Sequence, residues 1–167
     1  MLIEKQLTAP PEQFKKAIPI ASPVSGQCVL LQHVNDDLIN VGAWGPGLAL
    51  VTASSKVVSP FNATVMKIDP LDYSIEIKSS FGLKCRIKYG LHTQMLCGAQ
   101  FFSPLKQGQQ IQAGAMLFSV NSAWLKQQGV ENICIITLLN AKALLGVLPT
   151  HQKFVDAGSD TLLTLYI

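Results

Sequence analysis

Charged side chains are scarce in this chain, and their scarcity argues against several classes of protein. Only 14% of the 167 residues are Asp, Glu, Lys or Arg, and the formal net charge is +3. So weak a charge, with no arginine-rich arm and no interleaved basic and aromatic residues, is not typical of a nucleic-acid-binding protein. A chain of this length fits one domain and can bury a core without metals or disulfides.

Long apolar runs are also absent, although the mean hydropathy of +0.31 is high. A membrane-spanning helix requires about 20 consecutive, mostly apolar residues, and no stretch of the chain has that character. The first residues include Glu4 and Lys5 and lack the apolar region of a signal peptide. We therefore expect no membrane insertion and a cytoplasmic location.

Cysteine and histidine are too few and too widely spaced for a metal site. No Cys-x-x-Cys pair and no His-x-His pair occurs, which argues against zinc ligation and against a thioredoxin-like motif. We expect neither a metal nor another cofactor, and we expect the cysteines to be buried, reduced thiols. The residues concerned are Cys28, Cys85, Cys97, Cys134, His33, His92 and His151.

Short apolar runs alternate with Gly, Pro, Asn and Ser from Ile18 onward, at intervals of roughly 8–12 residues. This pattern predicts an all-β sandwich or barrel with a few short helical turns. The predicted strands are 18–21, 26–32, 47–52, 64–68, 73–79, 83–89, 110–111, 116–120, 133–138 and 160–166, and the predicted helical turns are 35–39, 93–97, 122–128 and 140–145. Residues 1–17, which contain Pro10-Pro11, are predicted to form a loosely ordered leader before a β domain of residues 18–167.

Two segments of the β domain resemble each other. Residues 20–29 and residues 57–66 both place a Ser-Pro pair after two apolar residues and before the start of a strand. Proline fixes the backbone of a turn that leads into the strand. The repetition suggests a duplicated β-motif that closes on itself.

The most regular strand pattern lies at residues 83–89, between two glycines. Apolar and basic residues alternate strictly there, as in a half-buried strand. Lys84, Arg86 and Lys88 therefore share one face, roughly 7 Å apart at a rise of ~3.4 Å per residue. We expect these three cations to face solvent.

A series of short motifs runs along the chain from about residue 18 to the end. The motifs are Ser22-Pro-Val-Ser-Gly26, Gly45-Pro-Gly-Leu-Ala-Leu50, Val58-Ser-Pro-Phe-Asn-Ala-Thr-Val65, Tyr73-Ser-Ile-Glu76, Gly82 through Gly98, Gly108-Gln-Gln-Ile-Gln-Ala-Gly114, Ile133-Cys-Ile-Ile-Thr137 with Asn140, and Gly158-Ser-Asp-Thr161. In this order and spacing they resemble the motifs of a known family, the glucose-type enzyme IIA (EIIA) domains of the bacterial phosphoenolpyruvate:sugar phosphotransferase system.

The resemblance implies an antiparallel β-sandwich of the duplicated-hybrid-motif type and suggests a monomer. It also implies a phosphocarrier, in which one histidine takes phosphate from the carrier protein HPr and passes it to the B domain of a sugar permease. A second histidine supports the first. An imidazole suits this role because its pKa is near neutral and its unprotonated nitrogen is nucleophilic.

The two histidine positions of the family correspond to other residues in this chain. The Val-His-Phe-Gly pattern of the family corresponds to Ile87-Lys88-Tyr89-Gly90, and the second histidine corresponds to Leu71. A lysine with a pKa of about 10.4 is protonated at pH 7 and is a poor nucleophile. We therefore predict an EIIA-like binding or regulatory protein that does not carry phosphate. The alternative is an active phosphocarrier in sugar transport that uses a displaced acceptor such as His92.

The basic face is also the predicted docking surface for a protein partner, because apolar groups anchor a partner while charges set its register. We expect the partner to be acidic or to bear a phosphate group. Binding of HPr, which docks through a cationic surface, is expected to be weak or absent. The predicted binding residues are Lys84, Arg86, Lys88, Tyr89, Leu91, Asp36, Ile39 and Leu71.

Overall fold

The computed structural model describes residues 3–167, whose regular structure is almost entirely β-strand. The strands are β1 (Ala17–Ala21), β2 (Gly26–Val29), β3 (Gly47–Val51), β4 (Lys56–Val58), β5 (Ala63–Asp69), β6 (Ser74–Ser79), β7 (Lys84–Tyr89), β8 (Phe101–Phe102), β9 (Gln110–Ile111), β10 (Met116–Val120), β11 (Ile133–Leu138), β12 (Gly146–Pro149), β13 (Phe154–Val155) and β14 (Thr161–Tyr166). Helical structure in the same range consists of α1 (Asp37–Asn40), α2 (Ser122–Gln127) and the 3-10 helices Leu31–His33, Thr93–Leu96 and Ala141–Ala143.

The strands pair into sheets in which neighbouring strands are antiparallel throughout. An eight-stranded sheet has the order β13-β2-β3-β11-β7-β6-β5-β9, and two three-stranded sheets have the orders β1-β14-β12 and β4-β10-β8. This architecture confirms the predicted all-β, antiparallel sandwich with a few short helical turns.

The main core contains side chains from all three sheets, among them Ile87 of β7, Phe118 of β10 and Leu163 of β14. Burying one such side chain stabilises the fold by roughly 1.5–3 kcal/mol. Cys85 and Cys134 also lie in this core, where burial raises the pKa of Cys134 to about 12. The prediction of buried thiols is confirmed for these two cysteines.

The prediction of buried thiols is wrong for Cys97, which is exposed, and Cys28 is only partly buried. Cys97 follows the short Thr93–Leu96 helix with a left-handed backbone conformation, at φ 53°. The residue therefore lies in a surface turn rather than in a strand.

The centre of the eight-stranded sheet is buried on both faces. On the face away from the main core, residues of β3 and β11 form a second apolar cluster with residues of the loop 30–46 and the chain start. The cluster consists of Ile3, Leu31, Val34, Ile39, Ala49, Leu91, Ile133 and Ile135. The loop 30–46 therefore covers the face that an antiparallel sheet often leaves to solvent.

Most predicted strands are confirmed to within a few residues, and the structure adds four short ones that the sequence did not reveal: β4, β8, β12 and β13. Predicted strand 26–32 ends at Val29 because a 3-10 helix follows it. The predicted helix 122–128 is confirmed as α2, whose N-cap is Asn121; its side chain accepts a hydrogen bond from Trp124 N at 3.0 Å.

The described part of the predicted leader, residues 3–17, is attached to the β domain. Leu7 N donates to the Val147 carbonyl at 2.8 Å, Val147 N donates to the Lys5 carbonyl at 2.8 Å, and Ile3 is 3% exposed. These contacts contradict the expectation of a loose attachment, because the segment pairs with β12 and fills part of the second cluster. The domain boundary at residue 17 stays a prediction.

Within residues 3–167, no helix has both the length and the apolar character that crossing a membrane requires.

Candidate functional site

Strand β7 carries the three basic residues, and their exposure differs from the expectation. Lys84 is exposed, but Arg86 and Lys88 are only 4% and 3% exposed. The expectation that all three cations face solvent is therefore wrong. The alternation along β7 is as expected, but the loop 30–46 and the turn between β5 and β6 cover the face on which Arg86 and Lys88 lie.

The carboxylate of Asp72, in the turn between β5 and β6, lies at the centre of this site. Its Oδ1 accepts hydrogen bonds from Lys88 Nζ at 3.1 Å and from Gln94 Nε2 at 3.2 Å. Its Oδ2 accepts from Ser74 Oγ at 2.9 Å and from the guanidinium of Arg86. Four donors therefore converge on one carboxylate and tie the turn to β6, β7 and the Thr93–Leu96 helix.

Lys88 Nζ has two contacts besides the Asp72 carboxylate. It donates to the main-chain carbonyl of Asp72 at 2.5 Å and to Thr93 Oγ1 at 3.3 Å. Thr93 Oγ1 in turn donates to the main-chain carbonyl of Leu71 at 3.4 Å. The ammonium group is thus enclosed by acceptors from the turn and from the segment that follows β7.

Arg86, the only arginine in the sequence, is fixed by an aromatic ring as well as by Asp72. Its Cζ lies 3.9 Å from the ring centroid of Trp44, in the loop 30–46, which is a cation–π contact. Among residues 3–167, its buried Nη1 has no hydrogen-bond partner, and neither has Oγ1 of Thr137, the residue opposite Arg86 on β11. One end of the guanidinium is therefore unsatisfied.

The charges of the site shift the pKa values of its two central groups. Burial by itself favours the protonated carboxyl of Asp72, but the charges of Lys88 and Arg86 outweigh burial and lower the pKa of Asp72. Burial lowers the pKa of Lys88, and the Asp72 carboxylate offsets part of this effect. Asp72 is therefore ionised at neutral pH.

A shallow groove of about 280 Å³ opens beside the ion pairs. It is lined by Trp44, Lys67, Asp69, Leu71, Asp72, Ser74, Glu76, Arg86 and Gln94. No group of three His, Cys, Asp or Glu side chains with the geometry of a metal site occurs within residues 3–167.

Besides Arg86 and Lys88, three other predicted binding residues are buried. Tyr89 is fully buried in the main core, on the opposite face of β7, and its hydroxyl donates to the Ser54 carbonyl at 2.9 Å. Leu91 and Ile39 are buried in the second cluster. Ile39 therefore adds no exposed apolar surface, because the loop 30–46 packs this side chain inward. The role of the three residues in binding stays a prediction.

The other predicted positions lie closer to the groove or to solvent. Leu71 is 54% exposed and lines the groove. Asp36 is the N-cap of α1, and its Oδ1 accepts from Leu38 N at 3.0 Å and from Ile39 N at 3.1 Å. Asp36 therefore has a local structural role as well as a place near Lys88, whose pKa its charge affects.

His92, the proposed alternative acceptor, is exposed in the turn after β7. Its backbone is left-handed at φ 53°, and its Nε2 lies 3.4 Å from the Asn35 carbonyl. Neither Lys88 nor Asp72 has a hydrogen bond to it among the described contacts. His33 and His151 are also exposed.

Sequence reasoning missed the residues that organise the site, above all Asp72, Trp44, Thr93 and Gln94. The sequence does contain a signal for Asp72: cations that become buried require a counter-charge, and Asp72 directly follows Leu71, one of the predicted binding residues. Nothing in the local pattern of Trp44 or Gln94 indicated their contacts.

Comparisons with known proteins identify the fold and the family. Residues 18–144 match the family described as phosphoenolpyruvate-dependent sugar phosphotransferase system, EIIA 1. The chain belongs to this family. The glucose permease IIA from Mycoplasma capricolum shares the fold, with a TM-score of 0.74 over 90% of this EIIA domain and 96% of that chain, at 22% sequence identity.

Curated relatives of the domain are sugar carriers and permease components. The lactose permease of Lactobacillus delbrueckii subsp. bulgaricus is 33% identical over 127 residues, which are 76% of this chain and 20% of the permease. The PTS system glucoside-specific EIICBA component of Staphylococcus carnosus is 31% identical over 145 residues, 86% of this chain and 21% of that protein. The EIIA domain thus spans about a fifth of the length of these relatives.

Proposed function

We propose that this EIIA domain binds a protein partner through the face around Lys88, in the cytoplasm, and does not carry phosphate. The proposal takes Lys88 and Leu71 as the positions of the two histidines of the family. The observation that carries it is the set of three hydrogen bonds made by Lys88 Nζ.

A phosphate acceptor needs a free lone pair on its nitrogen. The neighbours of Lys88 Nζ are a main-chain carbonyl, an ionised carboxylate and a hydroxyl whose hydrogen is directed at the Leu71 carbonyl, so all three act as acceptors. An ammonium group has three hydrogens. These acceptors use all of them, and the nitrogen has no lone pair available for phosphate.

Leu71, taken as the position of the second histidine, cannot assist a nucleophile. The side chain of Leu71 has no group that could orient or deprotonate Lys88. Its exposed surface instead adds to other exposed apolar side chains on the segments around the site: Leu38 at 57%, Val41 at 48%, Leu71 at 54% and Met95 at 75%. These side chains are the proposed anchors for the partner, with the exposed Lys84 contributing charge.

The test is incubation with phosphoenolpyruvate, enzyme I and HPr, followed by intact mass measurement at neutral pH. We expect no added phosphoryl group on the parent domain. The matched control is Lys88→His with Leu71→His, which should gain more phosphate than either single variant because two imidazoles act as a unit. Titration with HPr should show weak or no binding to the parent.

A phosphorylated parent domain would contradict the proposal. If the added phosphoryl group is then lost in His92→Ala but not in Lys88→Met, His92 is the displaced acceptor.

A further inference from the structure

The carboxylate of Asp72 lies in a cradle of four donors that suits any small oxyanion. Lys88 Nζ, the Arg86 guanidinium, Gln94 Nε2 and Ser74 Oγ all point at its two oxygens. Guanidinium and ammonium groups bind carboxylate and phosphate oxygens in the same way. We propose that this cradle is an oxyanion-binding site, which the chain's own Asp72 occupies and which a carboxylate or phosphoryl group of a partner enters by displacing it.

The inference rests on the proposed binding role of this face and names the chemistry that a partner presents there. Its geometry does not depend on the Asp72 side chain alone. Arg86 is held against the Trp44 ring at 3.9 Å. Lys88 is held by Thr93 Oγ1 at 3.3 Å and by the main-chain carbonyl of Asp72 at 2.5 Å. The cradle therefore stays in place when the carboxylate leaves it.

The charges of the cradle favour a further anion. Arg86 and Lys88 are both buried, and Asp72 is the only acid that forms an ion pair with either of them in residues 3–167. Arg86 Nη1 is buried and has no acceptor in the described part of the chain. A dianionic phosphoryl group has more charge and more acceptor oxygens than the Asp72 carboxylate, so it satisfies this excess better.

The site has a route of entry. The Asp72 side chain is 20% exposed, and the groove of about 280 Å³ beside it is lined by Asp72 and Arg86. The neighbouring residues of the turn, Pro70 and Leu71, are exposed. An oxyanion therefore reaches the cradle from the groove when the Asp72 side chain rotates out of it, and its apparent affinity is reduced by the small fraction of molecules whose cradle is open.

The experiment measures binding of inorganic phosphate and of acetate to three proteins, at constant ionic strength with chloride as the balancing anion. The proteins are the parent, Asp72→Ala, which empties the cradle, and Glu76→Ala. Glu76 lies opposite Arg86 on β6 and lines the groove, so Glu76→Ala removes one negative charge without emptying the cradle. Binding is followed by thermal stabilisation and by the NMR signals of the Gln94 side-chain amide.

We expect Asp72→Ala to bind phosphate at least about tenfold more tightly than the parent, as follows when the Asp72 carboxylate is out of the cradle in less than about a tenth of the parent molecules. Glu76→Ala should stay within about twofold of the parent, since its cradle is still filled. Equal gains in both variants would show a general charge effect and would overturn the proposal, as would the absence of any gain in Asp72→Ala. Acetate binding alone assigns the site to a carboxylate, and tighter phosphate binding assigns it to a phosphoryl group.

If Asp72→Ala fails to fold, the proposal can still be tested by refolding. Refolding is then carried out in chloride, acetate or phosphate. Recovery of the fold with the oxyanions but not with chloride supports the proposal, and no recovery with any salt overturns it. The result is independent of the mass assay above, because a domain that accepts phosphate from HPr can still lack the cradle, and the reverse also holds.

Discussion

Replacing Asp72 by Asn should destabilise this domain much more than replacing Lys88 by Met, although both changes remove the same ion pair. The cluster holds two buried cations, Arg86 and Lys88, and one carboxylate. Asp72→Asn leaves both cations without a counter-charge. Lys88→Met leaves Arg86 and Asp72 as a neutral pair, and methionine fills a similar volume with a flexible, apolar chain.

The size of the difference follows from the strand geometry. Arg86 and Lys88 are two positions apart on β7, which separates their Cα atoms by roughly 7 Å. Both side chains contact the one carboxylate of Asp72, so their charges are no more than about 7 Å apart. At an effective dielectric constant of about 20 their repulsion is about 2 kcal/mol. With the lost ion pairs, Asp72→Asn should cost about 3–5 kcal/mol, the range typical of an uncompensated buried charge. Lys88→Met should cost about 0–2 kcal/mol.

The assay is equilibrium unfolding in urea, followed by far-ultraviolet circular dichroism and by the fluorescence of Trp44 and Trp124. Trp44 contacts Arg86 and reports locally, whereas circular dichroism reports on all the strands. Coincident transitions are needed before free energies are compared. The buffer contains chloride as its only anion, because phosphate or acetate would bind to Arg86 and Lys88 in the variant that lacks the Asp72 carboxylate.

A cost for Lys88→Met equal to or greater than that for Asp72→Asn would refute the charge argument. It would mean that the hydrogen bonds of Lys88 to the Asp72 carbonyl and to Thr93 contribute more to stability than the balance of charge does. The double variant, Asp72→Asn with Lys88→Met, separates the two effects: under the charge argument it is more stable than Asp72→Asn alone.

Three further predictions concern the effect of pH, the basic residues Lys84 and Lys88 of β7, and a glycine of β3. The pKa of Asp72 in the folded domain lies below its ordinary value of 3.8. The stability that the carboxylate contributes is therefore present above pH 3.8 and is lost as the pH falls through the folded pKa. The difference in unfolding free energy between the parent and Asp72→Asn should shrink in acid. Lys84→Glu should change the free energy of unfolding by less than about 0.5 kcal/mol because Lys84 is exposed, whereas Lys88→Glu should prevent folding, since it places a second buried carboxylate beside Asp72. Gly47→Ala should cost about 3 kcal/mol or more in urea unfolding, because the added methyl group overlaps the main-chain carbonyl of Ile136 on the paired strand; a cost below about 1 kcal/mol would mean that β3 and β11 shift apart easily.

The strands of this domain could be predicted from the sequence because their signals are local. Alternation at 83–89 and glycines or prolines in the turns mark β7 and its neighbours within a few residues. The missed strands β8 and β13 have two residues each, too few to show a period. They exist because a longer neighbour, β10 or β2, provides a partner.

The site could be predicted only in part, because its exposure depends on distant segments. The sequence places Arg86 and Lys88 on one face of a strand, and the structure agrees. It does not show that Trp44, about 40 residues earlier in the chain, covers Arg86, or that Asp72 accepts from both cations. Lys and Arg side chains are mostly exposed in proteins, so a row of cations on a strand is expected to face solvent. The expectation fails here because one acid, Asp72, pairs with two buried bases.

The buried ion pairs also bear on the choice between phosphocarrier and binding protein. A carrier must expose its acceptor and free a lone pair in each cycle, which an imidazole achieves near pH 7. Lys88 is 3% exposed and donates to three acceptors. Freeing its lone pair requires Asp72 to leave, and the departure of Asp72 leaves a buried cation, Arg86, uncompensated. A partner that brings its own oxyanion is the ligand that can displace Asp72 without this penalty, and it does so while Lys88 stays protonated.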